Sequence, residues 1–379
     1  MNFNFTEEQQ QFADALRRWI DKDYTFDHRK KIVASERGVS DAAWSTLTEL
    51  GMTALPVPEE QGGFSGSAVD LHVVMHEIGR GLVIEPYLAT VMAAQSLKLA
   101  GGHDHLLEKI AAGELKMACA FGEKQARHDV FDIATTAAAN AGGFVVNGTK
   151  TVVLHGAQAD YLILSARTSG AQRDTAGITL FVLPRETLGM TLRDYRTIDS
   201  QRAADIHFDN VQIPAEALLG QVGEGFALLD AVSDYGIALL CAEAVGVMEA
   251  LNKSTLEYLK TRQQFGVPIG KFQALQHRMA DMFMHLEQAR SMATLVAVKV
   301  GAEDVAERRR VVSAAKARIG QAMKFVGQQA VQLHGGMGVT NELPAAHHFK
   351  RLTMIELTLG DTDHHLARFV AQPSFKETV

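Results

Sequence analysis

Apolar residues recur at helical spacing toward both ends of this chain and at strand spacing in its middle. Thr6 followed by Gln9 has the form of a capping box, and Phe12, Leu16, Trp19 and Ile20 then share one helical face. Trp44, Leu47 and Leu50 precede Gly51; Leu71, Val74, Met75 and Ile78 precede Gly79; Ala93, Leu97 and Ala100 precede Gly101-Gly102. Each of these glycines predicts a helix end. Residues 56–67, with Gly62, Gly63 and Gly66, read as a loop, and helices are expected to continue to about residue 116.

The period then shortens to two. In 144–153, Asn147-Gly148 lies between β-branched runs and predicts a tight hairpin. Strands are expected at 161–166, 178–183 and 205–213, the last alternating Ile206 and Phe208, then Val211 and Ile213, across an Asp209-Asn210 turn. After Gly223-Glu-Gly225 the helical period returns and persists in three or four long segments. Leu228, Val232, Leu240, Ala244, Val247 and Leu251 share a face in the first; Leu275, Met279, Met282, Leu286 and Ala289 in the second; Val312, Ala315, Ile319, Met323, Val326 and Ala330 in the third. The expected order is therefore an N-terminal helical domain (1–116), a small β domain (117–222) and a C-terminal helical bundle (223–379), a mostly α protein with a central β domain.

Composition narrows the function classes. A formal net charge of −7 argues against general affinity for nucleic acid or an anionic membrane. The two cysteines, Cys119 and Cys241, sit among apolar neighbours, as free buried thiols do, which favours a reducing, cytoplasmic location. The first residues lack the basic start and apolar run of a signal peptide, and no uninterrupted apolar run approaches membrane-spanning length. No histidine has metal-ligand spacing with cysteines or carboxylates, so no metal is expected.

Chemistry concentrates in two stretches, Arg262-Gln-Gln-Phe-Gly-Val-Pro-Ile-Gly-Lys-Phe-Gln273 and Val331-Gln-Leu-His-Gly-Gly-Met-Gly-Val339. A dinucleotide needs a cation for its pyrophosphate, a flat apolar ring, amides for a base edge and glycines for close backbone approach. Arg262, Phe265, Gln273, Gln332, Gly335 and Gly336 offer those parts in order, although singly an arginine at a helix end is usually solvated and a Gly-Gly is usually a turn.

Together with Tyr258 ahead of Arg262, and Thr340, Glu342 and Pro344 after the glycines, these stretches resemble the C-terminal signature of acyl-CoA dehydrogenases. The resemblance covers essentially the whole chain, including the domain order and Asn147-Gly148-x-Lys150. Val83-Ile-Glu-Pro-Tyr-Leu-Ala-Thr90, Cys241-Ala-Glu-Ala-Val-Gly246 and Leu359-Gly-Asp-Thr-Asp-His-His-Leu366 are most similar to the small subunits of two-component, pimeloyl-CoA dehydrogenase-type enzymes. The resemblance implies a helical N-terminal domain, a small β-barrel or sandwich and a C-terminal four-helix bundle. It implies FAD as cofactor, an acyl-CoA thioester as substrate and a trans-2-enoyl thioester as product. It also implies an electron-transfer flavoprotein as acceptor, and either a homologous large subunit in a heterotetramer or a homo-oligomer arranged as a dimer of dimers.

Position by position, the resemblance gives Arg262 to the pyrophosphate, sets Phe265 against the dinucleotide across a subunit boundary, and lines the adenosine half with Gln273, Gln332 and Gly336, beside Gly335. The family's Thr-Glu-Pro-x-x-Gly-Ser-Asp and Lys-x-Trp-Ile-Thr segments are replaced by Gly122-Glu-Lys-Gln-Ala-Arg-His-Asp129 and Lys150-Thr-Val-Val-Leu154, where only Glu123, Asp129 and Lys150 match. Phe121 and Gly122 retain main-chain groups for a flavin edge. The family's catalytic glutamate falls at Leu359 or Gly360, neither of which takes a proton, and its alternative near residues 235–237 is absent too. The remaining candidate bases are Asp361, which is equally suited to capping the next helix, Asp234, and Glu243, which in its apolar run requires a partner such as an arginine. His364 and His365 read as partners for an anion. Two other functions stay open: a structural subunit that completes a partner's flavin site, and a non-dehydrogenase flavoprotein such as a monooxygenase or desulfinase.

Overall fold

The computed structural model describes residues 5–373; the first four residues of the N-terminal segment read above lie outside them. The N-terminal third holds α1 (Glu7–Lys22), α2 (Phe26–Ala34), α3 (Asp41–Glu49), α4 (Ala68–Gly81), α5 (Tyr87–Ala100) and α6 (Asp104–Ala111). The Thr6 hydroxyl accepts the Gln9 N–H while the Gln9 side chain accepts the Thr6 N–H, completing the capping box that starts α1. The strands are β1 (Met117–Ala120), β2 (Thr136–Asn140), β3 (Gly143–Leu154), β4 (Tyr161–Arg167), β5 (Ile178–Pro184), β6 (Met190–Arg196), β7 (Arg202–Pro214) and β8 (Leu218–Leu219). Then follow α7 (Phe226–Thr261), a short hairpin of β9 (Gln263–Gln264) and β10 (Val267–Pro268), α8 (Gln273–Lys299), α9 (Val305–His334), α10 (Pro344–Leu357) and α11 (Thr362–Val370). Among the described residues, the C-terminal segment thus holds three long helices and two shorter ones.

By contact, the described residues form two compact units: 5–30, 68–83 and 237–373, and 31–67 and 84–236. In the first, α1 and α4 join the C-terminal helices. Its core includes Leu16, Leu71, Met75, Val247, Met282, Ile319, Val326 and Ile355, all at most 1% exposed. Gly79 does not end α4, as its position predicts. It lies within the helix, where an added Cβ would sit 2.1 Å from the Glu243 carbonyl, while on α7 a Cβ at Gly246 would sit 1.9 Å from the His76 carbonyl. The two glycines let α4 and α7 touch backbone to backbone. By length and composition α7 could cross a membrane, yet 94% of its apolar window is buried inside the protein.

In the second unit the strands form one eight-stranded sheet in the order β6-β7-β3-β2-β4-β5-β8, with β1 paired to β4 in parallel. Phe144 on β3 and Phe181 on β5 meet edge to face with ring centroids 5.0 Å apart. Those strands are three positions apart in the sheet, about 14 Å if it were flat. The sheet therefore curls on itself around Val146, Leu162, Leu164, Ile206 and Phe208.

Asn147-Gly148 is not a hairpin, and Asp209-Asn210 is not a turn between strands. β3 and β7 run straight through both, paired antiparallel, with a register shift where Asp209 and Asn210 stand opposite Asn147 alone. That is a β-bulge: the extra residue reverses the inward alternation, which in a one-dimensional pattern looks like a turn. Asn147 Oδ1 accepts the Asn210 N–H at 2.8 Å. The actual hairpin lies upstream, between Asn140 and Gly143 at the β2–β3 junction.

Candidate active site

The first motif is a hairpin set on the end of α7. Arg262 N donates to the Tyr258 carbonyl and the Arg262 carbonyl accepts the Ile269 N–H, both at 2.8 Å, so β9 and β10 return the chain to the helix they leave. Phe265 and Gly266 form the two-residue tip with φ of 53° and 77°. Glycine adopts such angles freely, but a bulky residue there is strained. The Phe265 ring is 91% exposed, resting by one edge near Phe272 at 6.0 Å. Arg262 is exposed and has no carboxylate partner among the described residues. Gln273 opens α8, also exposed.

The second motif ends α9. Gly335 (φ 60°) terminates the helix, Gln332 lies exposed on its last turn, and at both Gly335 and Gly336 a Cβ would meet open space. Gly338 differs: it packs against Val331, whose carbonyl oxygen would be 2.5 Å from its Cβ. The Tyr258 and His334 rings stack with centroids 4.5 Å apart, which brings the start of the Arg262 hairpin beside the Gly335-Gly336 turn. An unpaired cation, an outward phenyl ring and backbone left clear of side chains fit an anionic dinucleotide.

On the sheet, Phe121 and Gly122 follow β1. Their carbonyls already accept from Lys150 Nζ (3.3 Å) and Thr151 N (2.8 Å), so main-chain contact with a ligand there falls to N–H groups. Glu123 and Lys150, two of the three residues matching the family segments, form a buried ion pair at 2.7 Å. Burial pulls the Lys150 ammonium down to about 8 against the opposing pull of Glu123. Burial also works to raise the Glu123 pKa, but the Lys150 charge and hydrogen bonds outweigh it and hold the carboxyl low. Glu123 further accepts the N–H groups of Ala134 and Thr135, and Asp129, the third match, pairs with Arg173. Glu123 and Lys150 therefore serve the framework around Phe121 and Gly122, while Asp129 pairs with a guanidinium that is largely exposed.

The three candidate bases occupy different settings. Glu243 is bound by Arg351 through two bonds, Oε1 at 2.6 Å and Oε2 at 2.8 Å, with both residues buried, which supplies the arginine its apolar surroundings require. Asp234 is fully buried on α7. Asp361 is half-buried and is the N-cap of α11, its Oδ1 accepting the His364 N–H at 2.8 Å. Before it, Leu359 and Gly360 have φ of 56° and 110°, and a Cβ at Gly360 would lie 2.6 Å from His365 Nε2. His365 is fully buried, and desolvation, then the Lys316 charge, pushes its pKa down to about 2. It is neutral and donates from Nε2 to the Leu359 carbonyl at 2.9 Å, so it does not serve as a cationic partner for an anion.

Two residues that hold this turn escaped the sequence reading. Lys316 Nζ donates to the carbonyls of Ile355 (2.6 Å) and Thr358 (2.7 Å), tying down the end of α10. Glu356 Oε1 accepts from both Thr362 N (3.0 Å) and Thr362 Oγ1 (2.8 Å). Their signal was charge on an apolar face: Lys316 falls four residues after Val312 and three before Ile319, both on the buried face of α9.

Family models of the acyl-CoA dehydrogenase N-terminal, middle and C-terminal domains match residues 6–114, 118–211 and 223–372. Mitochondrial isovaleryl-CoA dehydrogenase of Solanum tuberosum is 30% identical, over 98% of this chain and 92% of its own. Among solved structures, the FAD complex of PigA superposes with a TM-score of 0.90 at 25% identity, covering 99% of this chain and 100% of that one. The ChsE4–ChsE5 complex from Mycobacterium tuberculosis does so with a TM-score of 0.86 at 25% identity, covering 97% of each chain. With all three domains matched in order around this pair of motifs, the chain belongs to the acyl-CoA dehydrogenase family.

Proposed function

We propose that this protein carries out FAD-dependent α,β-dehydrogenation of an acyl-CoA thioester to a trans-2-enoyl-CoA, as one subunit of a heteromeric enzyme with a homologous partner chain and with an electron-transfer flavoprotein as electron acceptor. The observation that carries this reading is an Arg262 guanidinium with no carboxylate partner among the described residues, set by the Tyr258–His334 stack beside glycines with open space around them. FAD, when bound, supplies the acceptor for the hydride leaving Cβ. Arg262 neutralises the pyrophosphate, and Gln273, Gln332, Gly335 and Gly336 take the adenosine half. The outward Phe265 ring has no core of its own to fill, which supports a role against the dinucleotide of a neighbouring subunit. Phe121 and Gly122 present N–H groups to the flavin edge. The ChsE4–ChsE5 complex is a two-chain relative, which supports the heteromeric assembly.

Among the candidate bases, Asp361 is the one with solvent access, since Glu243 is locked to Arg351 and Asp234 is fully buried. In this reading Asp361 takes the proton from Cα. Its capping bond and the leucine and glycine ahead of it favour a second reading, a structural subunit that lends Arg262 and Phe265 to a partner's site. Asp361→Asn separates the two, because asparagine caps a helix as well as aspartate but accepts no proton. The FAD-loaded protein is titrated anaerobically with straight-chain, branched and dicarboxylyl thioesters while the visible flavin band is followed. Bleaching in the wild type and its loss in the asparagine variant support the first reading. A flavin bound but unbleached by every thioester supports the second.

A further inference from the structure

The β3–β7 ladder has two bulges, and both are closed in the same way. At one, Asp209 and Asn210 stand opposite Asn147, whose side chain accepts the Asn210 N–H at 2.8 Å. At the other, Thr151 and Val152 stand opposite Asp205, whose Oδ1 accepts the Val152 N–H at 3.1 Å. In each the extra residue has positive φ, 50° at Asn210 and 54° at Val152. Asparagine adopts that conformation readily, whereas a β-branched residue does so only under strain. An asparagine or glycine at 152 would make the same turn without cost, so the valine is there for its side chain. That side chain fills no core: Val152 is 52% exposed, while Val153 beside it is 2% exposed.

The strained bulge is attached to the proposed flavin edge. Thr151 N donates to the Gly122 carbonyl at 2.8 Å, Lys150 Nζ donates to the Phe121 carbonyl at 3.3 Å, and a Cβ at Gly122 would lie 3.1 Å from the Thr151 carbonyl oxygen. On the far side, Tyr195 of β6 donates its hydroxyl to the same Asp205 oxygen at 3.0 Å. Burial, and after it the hydrogen bond to Asp205, pushes that phenol up to about 12, so it remains a donor at neutral pH.

We propose that Tyr195, Asp205 and Val152 form a positioning device for the flavin: Asp205, oriented by Tyr195, holds Val152 in its left-handed turn so that the valine presents a fixed apolar surface beside Gly122 to the isoalloxazine ring. The proposal rests on the FAD reading above and goes beyond it by naming residues that touch the ring only through Val152. Persistent strain at an exposed position is a mark of such sites.

The test measures FAD affinity and the shape of the visible band of bound flavin in wild type, Asp205→Ala, Val152→Gly and the double variant. Asp205→Ala is expected to weaken FAD about tenfold and alter the band, as loss of one charge-assisted hydrogen bond does. Glycine makes the turn unaided, so in the Val152→Gly background the Asp205 substitution is expected to change affinity by less than about twofold. Wild-type affinity and spectrum in Asp205→Ala, or an equal loss in both backgrounds, overturns the proposal and leaves the FAD reading standing. A wild-type chain that takes up no FAD overturns both. Should Asp205→Ala fail to fold, Tyr195→Phe decides: about a threefold loss with an altered band is expected, and no change overturns the proposal.

Discussion

The Tyr258 ring lies against the His334 imidazole, with centroids 4.5 Å apart and planes inclined by 32°. Tyr258 stands one turn before Arg262 and His334 immediately precedes Gly335, so this single contact joins two motifs far apart in sequence. His334 is fixed in turn by its Nδ1, 2.8 Å from the Ala330 carbonyl. Tyr258→Ala is expected to weaken FAD binding about three- to tenfold, and Tyr258→Phe, which keeps the stacking, to stay near wild type. Flavin fluorescence titration checks both.

Arg262 bonds through its backbone to the hairpin, but its guanidinium has no carboxylate partner among the described residues. Arg262→Ala should therefore leave the melting temperature of the FAD-free protein unchanged while weakening FAD about 10- to 100-fold, the range for a lost charged hydrogen bond. Arg262→Lys should fall between, since an ammonium lacks the planar fork that matches phosphate.

The buried Glu243–Arg351 pair makes the opposite prediction. Arg351→Met leaves a buried carboxylate without its counter-charge and should cost about 3–5 kcal/mol in chemical denaturation. Combining it with Glu243→Leu should recover most of that loss. A double variant as unstable as the single one would show that the pair contributes more than mutual compensation.

Stability should fall between neutral pH and about pH 4. Burial is the main cause that holds His72 and His348 down to about 4 and His365 to about 2. Their unfolded pKa is about 6.5, so below that value the unfolded chain binds protons that the folded chain refuses. Their contribution is complete above the unfolded pKa and is lost as pH falls. His76 has the opposite sign: burial works to lower its pKa, but Glu249 and Glu77 outweigh it and raise it, so its contribution is present in acid and lost as pH rises through its folded pKa. Glu249, held at about 2 first by the hydrogen bond from His76, and Glu77, held at about 2 where ion pairing outweighs burial, lose their contributions only as pH falls below the usual carboxylate range. With His285 and His347 also lowered by burial, five depressed histidines against one raised histidine give a net loss, read as a denaturation midpoint lower at pH 5 than at pH 7.5. Replacing His348 with glutamine should flatten the profile.

Gly79→Ala and Gly246→Ala each drive a methyl group into a carbonyl across the α4–α7 contact. Each should cost about 1–3 kcal/mol or more, and together they should add less than the sum, because the first variant already parts the helices. Thermal melts of the single and double variants measure this.

Local rules acting along the chain were legible in the amino-acid sequence. The capping box at Thr6, the 3.6-residue stripe through Val312 to Ala330 and the β-branched and apolar segment 178–183 each specify an element through the nearest few residues, and the structure has all three. The need of Glu243 for a partner was legible for a similar reason: burying a lone charge is costly in any fold. Where two distant segments meet, the same signals were ambiguous. Asn147-Gly148 carries the composition of a turn, but opposite Asn210 it is the closing side of a bulge, and Gly79 carries the composition of a helix end although it serves contact with α7. Only the tertiary structure decided that Arg351 answers Glu243, that Asp361 caps α11 while His365 is buried and neutral, and that Val152 is strained against Asp205. Each of those outcomes depends on the direction in which a residue far along the chain presents a charge, a carbonyl or a hydroxyl, and periodicity records only that a position is covered, not by what.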